Sequence, residues 1–301
     1  MSSTETTSPP PSGETETLAG LRAELDAIDD MIFGALSRRA AVVERVAALK
    51  GGALAFRPGR EAMILRRLLA RASGALPRQT VARVWREILA GSLAQQGPFS
   101  IAVCEPGPGE ALGLLARGHF GIATPLRSHR RAAQAIADLA NGAAQIAVLP
   151  MPAEDDPPAA LWWTALAHQE TVVPPLMRVH ILARLPFWGL PLRCPEGAPR
   201  AAALVVAAGL PDPSGDDRTL FGFEFSVELS RTRLAQQIAA AGFVAHSFIL
   251  RRDSGAPVAQ ALVDLDGFIA ENDPRLAAIE SLKRPPVRLG AYAVPMEETA
   301  P

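Results

Sequence analysis

Seven polar side chains in the first third of the chain have the types and spacing needed to hold a small anion. Arg39 and Lys50 lie eleven residues apart, which is three turns and about 16 Å along a helix, so they share one face. The set combines four cations with one carboxylate, one hydroxyl and one amide: Arg22, Arg39, Lys50, Arg60, Glu61, Ser92 and Gln96. Because it contains no His, Cys or metal-ligand cluster, it indicates a reaction that depends on placed charge, without covalent chemistry, metal or other cofactor.

Each of these residues also has an ordinary structural explanation. Arg39 could set the register of a coiled coil, and Lys50 is the cation that a helix C-terminus favours. Ser92 follows Gly91 and could simply allow close helix packing. Arg22 is the kind of residue that flanks the solvated face of an amphipathic helix. Only the combination of these residues indicates a site.

The segment that must position Arg39 and Lys50 reads as one long helix over residues 18–50. It contains two interleaved seven-residue rows, one with Leu18, Leu25, Ile32, Arg39 and Val46 and the other with Leu21, Ile28, Ala35, Val42 and Leu49. Such a pattern predicts a helix of about 50 Å, which is too long to pack only on itself. Arg39 is the only charge in these rows and requires compensation.

Two shorter helices, predicted over residues 60–72 and 79–96, supply the other site residues. Arg60 and Glu61 begin the first of them, while Ser92 and Gln96 extend the inward stripe of the second. Arg22 is seventeen residues from Arg39, about 25 Å along the axis, and does not fit the same site in one copy. The simplest arrangement is a two-fold dimer in which each site borrows Arg22 from its neighbour.

Composition limits the classes of function that the chain can have. Its 301 residues suggest about two domains, and a net charge of −1 gives no general attraction to nucleic acid or to a membrane surface. The chain has two cysteines, Cys104 and Cys194, without CxxC spacing, which we interpret as core residues. The sequence shows neither a secretory leader nor an apolar run long enough to span a bilayer, so we expect a cytoplasmic protein.

The remaining segments predict an α plus α/β multidomain architecture. Residues 1–15 are rich in Ser, Thr, Glu, Pro and Gly and predict a disordered tail before the helical domain of residues 16–97. Residues 98–199 read as an α/β lobe, with strands at 99–104 and 144–149 and helices at 111–118 and 130–141. Residues 200–301 contain strands and helices in the βαββαβ order of ferredoxin-like domains, at 221–228, 231–241, 244–251, 257–264, 274–282 and 287–292.

Five short motifs in residues 18–96 occur at the spacing of one enzyme family. They are Leu21-Arg22, Ser37-Arg38-Arg39, Lys50, Arg57-Pro58-Gly59-Arg60-Glu61 and Ser92-Leu93-Ala94-Gln95-Gln96. Through them the segment resembles the all-helical (AroQ-type) chorismate mutases, which rearrange chorismate to prephenate. The resemblance implies an intertwined dimer of three-helix chains with chorismate as its substrate.

The resemblance also implies a role for each residue. Arg39 and Arg22 of the partner subunit would grip the two substrate carboxylates, while Lys50 and Gln96 would donate hydrogen bonds to the ether oxygen. The remaining positions would line the site, with Glu61 taking the substrate hydroxyl: Arg57, Arg60, Glu61 and Ser92. Position 57 departs from the family, because many relatives carry Asp there.

The rest of the chain resembles a prephenate dehydratase lobe followed by an ACT domain, as in mutase–dehydratase fusions. The departures are large: Ala201-Ala202-Ala203 stands where the family has its catalytic Thr-Arg-Phe, and only residues 180–199 occupy the place of the second lobe. The family's phenylalanine-binding motifs are also replaced, by Thr232-Arg233-Leu234 and Leu250-Arg251-Arg252-Asp253. We therefore expect an inactive dehydratase-like region and a tail with a structural or regulatory role.

Three other functions are compatible with this sequence. A bifunctional mutase–dehydratase would release phenylpyruvate from prephenate. A pyruvate lyase acting on isochorismate through the same helical scaffold would release pyruvate. A helical dimer without activity would bind a small aromatic carboxylate or a partner enzyme.

Overall fold

The computed structural model describes residues 17–50, 54–72, 74–168, 178–188, 201–253 and 255–296, and of Lys50 only the backbone. The predicted tail, Cys194 and most of the segment 180–199 lie outside the described residues. The chain divides into two compact units, residues 1–51 and 52–301. In the described part of the chain, no helix combines the length and the apolar character needed to cross a membrane.

The first unit contains a single helix, α1, which runs from Leu18 to Lys50 and confirms the predicted boundaries. The two apolar rows occur on this helix as predicted, and their large side chains are exposed. Leu25 is 61% exposed and Ile32 is 52% exposed. An uninterrupted helix with an uncovered apolar face is the form expected of a segment that packs against another chain.

The second unit begins with the helices α2 (Pro58–Arg71) and α3 (Arg78–Gln95), which confirm the two shorter predicted helices to within two residues. Pro58 is the first residue of α2, where its missing N–H costs nothing. Leu65 and Leu69 of α2 share a buried cluster with Phe187 and Ala293 from the α/β region. The predicted domain boundaries at residues 97 and 199 stay predictions, whereas the compact units divide after residue 51.

A nine-stranded sheet forms the centre of the second unit, in the order β2-β1-β3-β5-β4-β9-β6-β8-β7. Its strands are β1 (Ile101–Cys104), β2 (Leu126–His129), β3 (Ile146–Pro150), β4 (Val179–Leu185), β5 (Ala203–Ala208), β6 (Asp217–Ser226), β7 (Ala245–Arg251), β8 (Val258–Asp266) and β9 (Val287–Ala293). The helices beside it are α4 (Ala111–Phe120), α5 (Ala132–Ala140), α6 (Trp162–Ala167) and α7 (Arg231–Ala240).

The sheet has two halves that meet between β4 and β9. In the first half β1 runs parallel to β2 and β3, while β5 runs antiparallel to β3 and β4. In the second half β9, β6, β8 and β7 are all antiparallel neighbours. At the seam, a Cβ on Gly290 would lie 2.0 Å from the backbone oxygen of Ile181. Only glycine allows the two strands to approach so closely.

One predicted helix is wrong. The segment predicted as a helix over residues 274–282 forms only a 3-10 turn, Pro274–Ala278. Asp273 caps the turn at its start, and Leu282 already forms a bridge to Phe225.

Cys104 is buried and free, in agreement with its interpretation as a core residue. Burial, with a smaller contribution from Glu105, raises the pKa of its thiol to about 11. The side chain therefore stays protonated near neutral pH and contributes packing to the first half of the sheet.

Candidate active site

The predicted site residues of α1 belong to the first compact unit. Arg22 is exposed near the start of the helix. Arg39 is half-buried, and the loss of solvent lowers the pKa of its guanidinium from the usual value. Lys50 is the last residue of the helix, and its side chain lies outside the described part of the structure. The heptad row that contains Arg39 therefore holds a partly desolvated charge.

The N-terminus of α2 is held by a carboxylate from the α/β region. Asp212 Oδ1 accepts a hydrogen bond from the backbone N–H of Gly59 at 3.1 Å, and Oδ2 accepts one from the N–H of Arg60 at 3.1 Å. The guanidinium of Arg57 donates from Nε to Oδ2 at 3.2 Å. Arg57 and Arg60, both predicted substrate contacts, are thus brought together around one internal anion.

Glu61 is buried in an ion pair between α2 and α3. Its Oε2 lies 2.9 Å from Nη1 of Arg86, which also lies 3.1 Å from Nε2 of His119 on α4. Burial raises the pKa of Glu61 to about 7 against the opposing effect of Arg86. Burial likewise lowers the pKa of Arg86 to about 10, although Glu61 opposes this shift. The carboxylate predicted to bind a substrate hydroxyl is occupied by a neighbouring arginine.

The contact with Arg86 fixes the protonation of His119. A guanidinium can only donate, so Nε2 of His119 must accept and the ring proton must sit on Nδ1. Burial, followed by the charge of Arg86, lowers the pKa of His119 well below its usual value. The imidazole is therefore neutral near pH 7, and Arg86 carries its charge beside Glu61, whose raised pKa leaves the carboxyl only partly ionised at this pH.

A small cavity adjoins this pair. It measures about 10 Å³ and is lined by Pro58, Arg86, His119, Ala183, Arg184, Phe187 and Ala293. A space of this size holds about one water molecule. The cavity beside Arg86 is therefore far too small for a dicarboxylate substrate.

Ser92 and Gln96 lie at the end of α3. Ser92 is buried, and its Oγ donates to the carbonyl of Ile88 at 2.7 Å. Gln96 is half-buried, and its Nε2 donates to the carbonyl of Ser92 at 2.8 Å. The amide side chain of Gln96 is therefore folded back along its own helix, close to Ser92.

The structure brings the predicted residues into three groups. Arg57 and Arg60 meet at Asp212, Glu61 meets Arg86, and Ser92 meets Gln96. The α1 residues form a separate set on their own helix: Arg22, Arg39 and Lys50. Across the described ranges, no group of three His, Cys, Asp or Glu side chains is placed to hold a metal ion.

Sequence reasoning missed Arg86, His119 and Asp212. Arg86 carries a detectable signal, since it occupies the buried stripe of α3 between Ala82 and Leu89, as Arg39 occupies an apolar row of α1. His119 and Asp212 carry none. Asp212 is separated from Gly59 by 153 residues, and only the folded chain places it at α2.

Comparison with known proteins identifies the helical segment. Residues 21–97 match the family model for chorismate mutase type II. The bifunctional chorismate mutase/prephenate dehydratase of Neisseria gonorrhoeae is 37% identical over 108 residues, which cover 36% of this chain and 30% of that protein. The protein of the same name from Pseudomonas aeruginosa is 31% identical over 144 residues, covering 44% of this chain and 38% of that protein. The matches therefore span well under half the length of these relatives.

Two solved structures match about two thirds of this chain at low identity. The prephenate dehydratase from Streptococcus mutans has a TM-score of 0.46 and 14% identity, covering 66% of this chain and 100% of that chain. GqqA, described as a novel type of quorum quenching acylase, has a TM-score of 0.49 and 17% identity, covering 66% of this chain and 96% of that chain.

The family match confirms the predicted resemblance for the helical segment. It spans α2, α3 and all but the first turn of α1, and it includes every predicted site residue from Arg22 to Gln96. Residues 21–97 of this chain are therefore similar to chorismate mutase type II, and a nine-stranded α/β region follows them.

Proposed function

We propose that this protein is a chorismate mutase that rearranges chorismate to prephenate in aromatic amino acid biosynthesis. The observation that carries the proposal is the family match over residues 21–97, within which all four predicted site cations are present. They are Arg22, Arg39, Lys50 and Arg60. The substrate has two carboxylates, so a site rich in arginine and lysine suits it.

The reaction needs no covalent intermediate. One ether C–O bond breaks as a C–C bond forms within the same molecule, and the ether oxygen gains negative charge on the way. We assign Arg39, together with Arg22 of the partner subunit, to the carboxylates, where they hold the compact conformer that mutual repulsion opposes. We assign Lys50 and Gln96 to the ether oxygen, where a donor stabilises the transition state more than the substrate.

The other residues have roles that the observed contacts restrict. We assign Arg60 and Ser92 to the lining of the site. Glu61 keeps Oε1 for the substrate hydroxyl, because Oε2 is paired with Arg86 at 2.9 Å. Arg57 is paired with Asp212 at 3.2 Å, so we propose that its guanidinium holds Asp212 at the N-terminus of α2 and does not bind the substrate.

We further propose that the active form is a homodimer built on α1. The supporting observation is the row of exposed apolar side chains on this helix, such as Leu25, Ile32 and Val46. Burying this face against a second copy removes it from water, and two-fold symmetry lets each copy lend Arg22 to the other.

For residues 217–293 we propose an ACT-like role in structure or regulation. The segment has the element order β6-α7-β7-β8-turn-β9, and its strands lie in the order β9-β6-β8-β7. We propose no dehydratase activity, because Ala201-Ala202-Ala203 replaces the catalytic motif of the resembled family. We assign the protein to the cytoplasm, with no nucleic acid or membrane partner.

An assay of chorismate consumption by the purified full chain tests this function. We expect Lys50→Ala and Gln96→Ala to lower kcat by about 100-fold or more, since each removes a donor aimed at the developing charge. Gln95→Ala is the matched control, because Gln95 is the exposed neighbour of Gln96. Full activity in both site variants would overturn the assignment of these residues.

Product analysis separates the alternatives. Prephenate alone supports the mutase, phenylpyruvate would reveal a bifunctional mutase–dehydratase, and pyruvate would reveal a lyase. Chorismate that binds without turnover would identify a non-catalytic dimer. Repeating the assay with phenylalanine shows whether the ACT-like segment responds to this amino acid.

A further inference from the structure

We propose that Asp212, in the α/β region, is a positioning residue for the mutase site. Its carboxylate caps α2 from outside the mutase domain and so fixes the helical turn that carries Arg60 and Glu61. The inference rests on the proposed function and extends it, because it makes the α/β region a working part of the mutase.

The local sequence of α2 leaves its N-terminus without a cap. The N-cap residue is Arg57, and its side chain makes no capping hydrogen bond. Preferred N-cap residues are Asp, Asn, Ser and Thr, whose side-chain oxygen accepts from the N–H groups at the second and third helical positions. In α2 these positions are Gly59 and Arg60, because Pro58 is the first. Two donors therefore require an acceptor from elsewhere.

Asp212 supplies that acceptor. Its two oxygens accept one hydrogen bond each from Gly59 and Arg60, both at 3.1 Å. The side chain is 8% exposed, so these bonds form away from most of the solvent. A carboxylate at this end of a helix also interacts favourably with the helix dipole. Arg57 adds a third, charged donor at 3.2 Å.

Position 57 explains why the cap comes from so far away. An Asp at this position, as in many members of the resembled family, would cap Gly59 and Arg60 from within the same turn. Here Arg57 cannot accept a hydrogen bond, but it pairs with the carboxylate that does. In this chain the capping carboxylate comes from position 212, and Arg57 pairs with it.

Two further contacts make this attachment rigid. A Cβ on Gly59 would lie 2.3 Å from the backbone oxygen of Asp212, so the two backbones touch and leave no room for movement. About two turns further along α2, Arg66 donates to the carbonyls of Ser214, Asp216 and Val294, at 3.0, 2.9 and 2.9 Å. The loop after β5 therefore contacts α2 at two points, at Gly59 and at Arg66.

The consequence for catalysis follows from the position of the cap. Arg60 donates its own backbone N–H to Asp212, and Glu61 is the next residue. If the first turn frays, the backbone of Arg60 and Glu61 no longer holds their side chains in position. Misplacement of groups that orient a substrate lowers the rate of the chemical step even when the groups themselves remain.

Substitution of Asp212, tested in the full chain with chorismate, separates positioning from simple stability. Asp212→Asn keeps the shape but leaves one acceptor oxygen for three donors, and we expect kcat to fall about tenfold while KM changes less than about twofold. Asp216→Asn is the matched control on the same loop, because it removes only a long, solvent-exposed ion pair with Arg66 at 3.7 Å and keeps the carbonyl that Arg66 uses. We expect this control to keep wild-type kcat.

The decisive variant is the double substitution Arg57→Asp with Asp212→Asn. It returns a carboxylate to the N-cap of α2, so we expect it to restore kcat to within about threefold of wild type. Arg57→Asp alone places two carboxylates side by side and should not improve on Asp212→Asn. Wild-type kcat in Asp212→Asn, or no recovery in the double variant, would overturn the proposal.

Hydrogen exchange gives a readout that does not depend on activity. We expect the amides of Gly59 and Arg60 to lose protection in Asp212→Asn, by about tenfold, and to regain it in the double variant. Unchanged protection in Asp212→Asn would show that Asp212 does not cap α2. If the wild-type chain consumes no chorismate, the proposed function fails, and exchange alone then decides whether Asp212 holds the helix.

Discussion

The helices α1 and α2 are both amphipathic and both carry predicted site residues, yet their apolar faces differ in burial. On α1 the large apolar side chains are exposed, as for Leu25 at 61%. On α2 the corresponding side chains are covered, with Leu65 at 0% and Leu69 at 1%. The face of α2 is buried by α3 and by Phe187 and Ala293. Thus the apolar face of α2 is covered by residues of its own unit, whereas the apolar side chains of α1 are exposed.

From this difference in exposure we infer that the two helices have different structural roles. The exposed face of α1 suits an interface between copies of the chain, and the same helix carries Arg22, Arg39 and Lys50. The buried face of α2 attaches this helix to α3 through Glu61, and Arg66 and the cap at Asp212 attach it to the α/β region. In the proposed active form, the site therefore depends on one association between chains and one within the chain.

Breaking the association between chains should have the largest effect. Leu25→Lys places a charge in an apolar row of α1, and each dimer would contain two such charges. At about 1.5–3 kcal/mol for each buried leucine, the dimer should weaken at least about 100-fold. Chorismate turnover should fall with it, since each site would lose Arg22 of the partner subunit. Sedimentation and turnover, both measured across protein concentration, test this expectation.

Met31→Lys is the matched control for this prediction. Met31 is 64% exposed on the same helix and lies outside both apolar rows. We expect it to leave dimerisation and turnover close to wild type. A Leu25→Lys variant that stays dimeric would show that the exposed rows do not form the interface.

Breaking the association within the chain should cost stability. Arg86→Met leaves the buried carboxylate of Glu61 without its partner at 2.9 Å. Removing one member of a buried ion pair typically costs about 3–5 kcal/mol. Arg86 also lies over the ring of Phe187, with its guanidinium carbon 5.4 Å from the ring centre, and that contact would be lost as well. Urea unfolding of the full chain measures the difference.

Two other variants sharpen this result. Arg83→Met changes an exposed arginine on the same helix and should alter stability by less than about 0.5 kcal/mol. Glu61→Gln combined with Arg86→Met removes both charges and should recover much of the loss, because no ion then remains buried. Equal stability of Arg83→Met and Arg86→Met would mean that the buried pair does not hold α2 and α3 to α4.

The helices were predictable from sequence because their signals are local. The seven-residue rows of α1 and the prolines around α2 and α3 set boundaries that the structure confirms. The strand β5 was not predicted, although it lies in an apolar run; its place between β3 and β4 depends on residues elsewhere in the sequence. The seam of the sheet likewise depends on Gly290 meeting Ile181, a contact between residues more than one hundred positions apart.

Some residues of the candidate site have a signal in the local sequence, and others depend on contacts with distant residues. Arg39 was predictable because a charge in an apolar row needs compensation, and Arg86 carries the same signal on α3. The contact of Glu61 with Arg86 was not predictable, because the resemblance assigns that carboxylate to the substrate. Asp212 lies between two prolines, and nothing in its local sequence relates it to a helix that begins at residue 58.

The smallest expected effect is the pH dependence of stability that Glu61 contributes. Burial raises its pKa from 4.5 to about 7, so between these values the folded chain binds a proton that the unfolded chain releases. This contribution is fully present below about pH 4.5 and is lost as the pH rises through 7. A shift of this size corresponds to about 3 kcal/mol. Urea unfolding from pH 4.5 to 7.5 measures it.

Glu61→Gln isolates this contribution, because it keeps the shape and removes the titration. His119 acts in the opposite direction, since its lowered pKa makes stability fall as the pH drops below 6.5, but both proteins share it. The free energy of unfolding of the wild type minus that of Glu61→Gln should therefore decrease steadily from pH 4.5 to 7.5. If the difference in the free energy of unfolding stays constant with pH, Glu61 titrates at its ordinary value and its carboxylate is open to solvent, as a substrate contact would require. The contrast between a buried α2 and an exposed α1 would then not hold at this residue.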